Sequence, residues 1–122
     1  MKRLHLMLGC VCLLCGCPSG SSSNPRGRCQ TVITTACTRI ASCAEKADLL
    51  DEDYPASELR SDCETEIGAE LDCSHAEGVS EDYDDCLADL RAQDCDESND
   101  ALRRDKLPPP PDSCNDVILL SE

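Results

Sequence analysis

The chain has 122 residues, with 25 Asp/Glu against 11 Lys/Arg and a formal net charge of −14 at pH 7. An acidic surface of that size repels nucleic-acid phosphates and anionic lipid, which excludes a nucleic-acid role and favours a basic protein partner or divalent cations. No Trp or Phe, two Tyr and 12 Cys exclude a large apolar core and point to covalent staples.

Lys2 and Arg3 precede an apolar run from Leu4 to Leu14. At about a dozen residues it falls short of the ~20 a helix needs to cross a bilayer core, and it suits the middle of a secretory signal. Leu14-Cys15-Gly16-Cys17 closes the run, and the small residues of an Ala-x-Ala site are missing. These four residues resemble the lipobox of bacterial lipoproteins: leucine, a small residue, glycine, then cysteine. Cys15 stands where that family usually has alanine or serine, and it is small enough to fit. The resemblance implies that 1–16 is a signal peptide cut before Cys17. It implies that Cys17 carries a diacylglyceryl thioether and an amide-linked acyl chain. The expected location is the bacterial cell envelope, lipid-anchored, at the outer membrane. An ordinary cleaved signal with an adventitious cysteine is the alternative. Each buried CH₂ contributes ~0.8 kcal/mol and two or more chains hold stably, so this modification is a durable anchor.

Residues 17–28 then read as the lipidated cysteine and a flexible Ser/Gly/Pro linker, and 29–122 as one Cys-rich helical domain with room for a single core. From residue 17 onward 9 Lys/Arg face 25 Asp/Glu, a formal −16. Eight cysteines fall in the domain: Cys29, Cys37, Cys43, Cys63, Cys73, Cys86, Cys95 and Cys114. An even count in an exported chain predicts four disulfides. The one C-x-x-C, Cys12 to Cys15, lies in the signal, so the domain has neither a thioredoxin-like redox pair nor zinc-knuckle spacing.

In chain order, Ile33, Cys37, Ile40, Ala44 and Ala47 recur at helical steps between Thr31 and Asp48. Leu59, Cys63, Ile67 and Leu71 do so between Glu58 and Asp72, with Ser57 as N-cap or Ser61-Asp62-Cys63-Glu64 as a capping box. Ser74 to Glu77 and Gly78 break the pattern. A third helix is expected from Ser80, its N-cap, to Gln93, with Tyr83, Leu87 and Leu90 on one face. Asp96 to Asp100 reads as an acidic turn, Ala101 to Leu107 as a helical turn, and Pro108 to Pro111 as a stiff polyproline II spacer. Val117 to Leu120 reads as a short helical turn or an extended segment over the core.

Cys37 and Cys43 stand ~9 Å apart along one helix axis, beyond the ~7 Å limit for a bridge. The staples therefore run between elements, and an antiparallel hairpin suggests Cys43–Cys63 and Cys29–Cys73. Cys86 beside Cys37 and Cys95 with Cys114 complete the expected set. The fold class is mostly α: a small three-helix, disulfide-stapled domain with an irregular Pro-rich C-terminal segment. Its Cys-laced helices and the run from Leu107 to Cys114 resemble the small Cys-rich lipoproteins of myxobacteria and relatives, a resemblance of architecture that implies no activity.

Candidate chemistry is sparse. Asp94, Asp96, Ser98, Asp100 and Asp105 imitate the alternate-residue oxygen pattern of a calcium loop, without its glycine and with a short Asp at the twelfth position. Asp84 with Asp85, and Asp51-Glu52-Asp53, are acid pairs expected to lie solvated. His75 is the one histidine after Cys17, and no Gly-rich phosphate loop exists. The expectation is a non-enzymatic structural or protein-interaction module with no cofactor and no evident small-molecule substrate. Its acidic face suits a basic protein partner, and the alternative is a weak Ca²⁺-binding module at Asp94 to Asp105.

Overall fold

A computed structural model describes residues 24–122. The expected signal 1–16 and lipidation site Cys17 lie outside the described residues. Helix α1 (Pro25–Lys46) is followed by α2 (Ala56–Glu70), a 3-10 turn (Cys73–His75), β1 (Ala76–Val79), α3 (Tyr83–Arg91), α4 (Cys95–Arg103), a second 3-10 turn (Asp112–Cys114) and β2 (Ile118–Leu120). The described chain is mostly helical and stapled by four disulfides, with one helix more than the three expected.

Residues 25–28, expected in the linker, form the first turn of α1. The Asn24 side chain accepts the Arg26 N–H at 2.8 Å, and Pro25 occupies the first turn, where no N–H is needed. The helix buries two adjoining stripes that together cover about half its girth at 100° per residue. Cys29, Val32 and Ala36 pack with Cys86, Leu87, Leu90, Val117 and Ile118. Ile33, Cys37, Ile40, Ala41 and Ala44 pack with Leu59 and Cys63 of α2. Thr34 and Thr38, on the opposite face, are exposed.

Asp48 ends α1 in the left-handed region (φ 56°). Its N–H donates to Glu45 O at 3.2 Å, and the Leu49 N–H donates to Ala44 O at 3.0 Å, the pair of bonds of a Schellman cap. Asp105 (φ 59°) ends α4 in the same way, through Asp105 N–H to Leu102 O and Lys106 N–H to Ala101 O. Both positions usually hold glycine, which suffers no Cβ clash there.

The third helix starts later than expected. Ser80 works one turn earlier, its Oγ accepting the Asp82 N–H at 3.2 Å, and α3 begins at Tyr83. The acidic segment expected as a turn is helix α4, capped by Asp94, whose carboxylate accepts the Asp96 N–H at 2.8 Å. Its buried face is polar: Ser98 and Asn99 lie against α1, and Asn99 Nδ2 donates to Cys43 O at 3.3 Å. Of the two alternatives for the tail, the extended one holds. Strand β2 pairs antiparallel with β1, Ala76 opposite Leu120 and Val79 opposite Ile118, with a bulge between Ala76 and Gly78.

The bridges are Cys29–Cys73, Cys37–Cys63, Cys43–Cys95 and Cys86–Cys114. Cys29–Cys73 agrees with expectation, and the other three pairings correct it. Two facts of helix geometry decide the difference. Once Cys29 lies level with Cys73 in an antiparallel pair, Cys63 is level with a point about 3 Å past Cys37 on α1; Cys43 overshoots that point by about 6 Å. Around the axis Cys37 points ~80° to one side of Cys29 and Cys43 ~40° to the other, so they face different neighbours. Cys43 therefore meets α4, and Cys86 is left to hold the C-terminal segment through Cys114. Each bridge contributes about 2–4 kcal/mol by restricting the unfolded chain.

Replacing Asp48 by Gly relieves the left-handed Cβ and removes a negative charge from the negative end of α1. We expect Asp48→Gly to raise stability by about 1 kcal/mol. Thermal unfolding of the oxidised protein checks it, and a lower midpoint contradicts it.

Candidate binding groove

The acidic pattern from Asp94 to Asp105 is dispersed by the helix it forms. Residues two apart on a helix point ~200° away from each other, so alternate oxygens diverge instead of converging on one cation. Asp94 caps α4, Ser98 is buried, Asp100 pairs with Arg104 at 3.2 Å, and Asp105 lies beyond the helix end. Among the described residues no group of three or more His, Cys, Asp or Glu is placed to hold a metal ion. All eight domain cysteines are consumed in disulfides.

His75, Asp72 and Ser74 come together, in the wrong order for nucleophilic catalysis. His75 Nε2 lies 3.6 Å from Asp72 Oδ2, while the Ser74 hydroxyl and N–H both donate to Asp72 Oδ1. In a triad the imidazole stands between hydroxyl and carboxylate; here the carboxylate stands between. The Ser74 hydrogen bonds hold the Asp72 carboxyl below its usual value, and the His75 side chain is 55% exposed. The trio caps a 3-10 turn. Asp84 and Asp85 lie exposed in the first turn of α3, and Asp51 accepts the N–H groups of Asp53 and Tyr54 in an exposed turn.

The feature that sequence reasoning missed is a trough along the seam between the two buried stripes of α1. Its floor is Val32, Ile33, Ala36 and Ile40. Ile67 of α2 and Leu71, the residue that ends it, form one bank, and Leu107 to Pro110 with Ile118 and Leu120 form the other. The cavity measures about 610 Å³, within the range of ligand-binding clefts. A second hollow of about 340 Å³, bounded by Leu49, Leu50, Tyr54, Leu59 and Leu102, shares Glu66, Asp105, Lys106 and Leu107 with the first. The two therefore adjoin at that shared boundary.

The far bank is built from prolines, which offer no N–H and can be held only through their carbonyls. Gln93 Nε2 donates to Pro109 O at 3.0 Å. Gln93 is itself fixed by Arg39 of α1, whose guanidinium donates twice to the Gln93 carbonyl, at 3.0 and 2.8 Å. This cation sits just beyond the C-terminal end of α3, where the helix dipole favours it. Cys86–Cys114 and the hydrogen bond from Ser113 Oγ to Asp89 at 2.7 Å pin the strap further on. The strap is thus a rigid wall, in keeping with the stiff spacer expected of Pro108 to Pro111.

At the second hollow the Tyr54 hydroxyl donates to Asp62 at 2.7 Å. That bond, with partial burial and the charges of Asp62 and Glu58, pushes the Tyr54 pKa up to about 12. No family model matches the chain, and neither a curated protein nor a solved structure matches it. Among the described residues no helix is long and apolar enough to cross a membrane.

Two predictions follow from these contacts. The unfolded chain ionises its tyrosines near pH 10 while native Tyr54 holds its proton to about 12, so this contact's contribution is full below pH 10 and is lost as pH rises toward 12. Phenolate absorbance should show one tyrosine titrating near pH 12, and Asp62→Asn should bring it down. Gln93→Ala removes the side-chain bond that holds the strap and is expected to cost about 1 kcal/mol. Hydrogen exchange should rise selectively in the few amides between Asp105 and Cys114, and unchanged exchange there contradicts the clamp.

Proposed function

We propose that the chain is a lipid-anchored, non-enzymatic protein of the bacterial cell envelope that acts as a protein-interaction module. The trough carries this reading: an apolar floor with carboxylates along both banks, on a scaffold made rigid by four disulfides. The anchor rests on the lipobox-like Leu14-Cys15-Gly16-Cys17. Helix α1 begins within eight residues of Cys17, a distance that spans at most ~28 Å when fully extended. The domain is therefore displayed close to the membrane surface, where a surface contact module has its use. A calcium role gains nothing from the dispersed donors of α4.

Expressed with its own signal in a Gram-negative host, the mature protein should begin at Cys17 and carry diacylglyceryl and acyl mass, with eight oxidised cysteines. Cys17→Ala should abolish the acyl mass and the cleavage. Intact mass spectrometry decides, and an unacylated chain cut elsewhere overturns the anchored reading.

A further inference from the structure

The trough is apolar where it is deep and acidic where it meets water. Glu66 and Glu70 stand one helical turn apart on the α2 bank, and Asp105 and Asp116 stand on the opposite bank. All four are exposed, and none has an ion-pair partner among the described residues. Lys106 is the lone cation on the rim of the larger cavity. Leu120 remains 42% exposed at its edge, in a domain with few large apolar side chains to spare. The two hollows adjoin, with Glu66, Asp105, Lys106 and Leu107 lining both, so one extended ligand can reach each.

From that complementarity we propose that the trough binds a basic amphipathic peptide segment of a partner protein. Leu-like side chains of the segment fill the two hollows, and its Lys or Arg groups meet the carboxylates on both banks. The inference deepens the interaction reading above and rests on it. Other occupants fit less well. A fatty acid or anionic phospholipid brings negative charge to a rim that already repels it. A second copy brings another strongly acidic surface against this one. A compact lipophilic cation satisfies the charge but fills only one hollow.

The test uses the full lipidated chain in nanodiscs of zwitterionic phosphatidylcholine, with empty nanodiscs subtracted. The probe is a fluorescent Leu/Lys amphipathic peptide of about 14 residues, long enough as a helix to span ~20 Å. It should bind, and its affinity should fall as salt rises. Neutralising the rim with E66Q, E70Q, D105N and D116N together should weaken it about tenfold or more. Leu120→Ser, at an exposed position that leaves the fold intact, should weaken it severalfold. Circular dichroism and disulfide mapping verify that each variant is folded. Equal affinity for the rim-neutralised chain, or for a Leu/Glu peptide of the same pattern, overturns the proposal. So does binding of tetraphenylphosphonium as tight as that of the peptide, or a dimer that excludes it. Absence of peptide binding with acyl mass still present on Cys17 removes this occupant and leaves the anchored reading standing.

Discussion

The burial of α1 along half its girth is the constraint from which the rest of the domain follows. A chain without Trp or Phe cannot wrap a core around bulky side chains, so it packs small and medium ones against a single axis. Cys29, Cys37 and Cys43 fasten three separate elements to that axis: the turn after α2, α2 itself, and α4. Among the described residues only Cys86–Cys114 joins parts away from α1, and it closes the C-terminal strap over α3. At about 2–4 kcal/mol each, the four bridges together match the whole net stability of a typical small domain. The staples therefore carry the fold, and the apolar contacts position it.

The trough is what this construction leaves behind. With α2 packed on one stripe of α1, and α3 and β2 on the other, a gap stays open over the seam between them. A domain with a larger apolar complement closes such a seam with an aromatic side chain. Here the filling residue is absent and the walls are held apart by rigid pieces, a disulfide-bonded helix on one side and clamped prolines on the other.

The helical stripes of α1, α2 and α3 were legible because apolar residues and cysteines recur every three to four positions. Helix α4 was not, because its fully buried residues are the small polar Ser98 and Asn99, and Leu102 alone gives too little apolar periodicity. Asn24-Pro25 is a recognisable helix start that the surrounding Ser, Gly and Pro disguised as linker. Of the β1–β2 pair, β2 was half legible as the extended alternative for Val117 to Leu120, whereas β1, four residues with a bulge, shows almost no alternation. The bridges were half legible: axial reach ruled out partners within a helix, whereas choosing partners between helices also requires the direction in which each cysteine points. The trough was not legible at all. Its lining comes from separate segments that only the folded chain brings together, and its acids are indistinguishable in sequence from the many others.

Among the described residues no bridge joins consecutive cysteines: Cys37 pairs with Cys63, and Cys43 with Cys95. If the proposed export holds, Cys29, Cys37 and Cys43 reach an oxidising compartment ahead of Cys63, Cys73 and Cys95. Coiled up, these three could bridge one another. Wound into α1 they stand ~12 Å and ~9 Å apart along the axis, too far for any sulfur to reach its neighbour. Helical α1 thus holds these three thiols apart from one another as well as aiming each at a different partner.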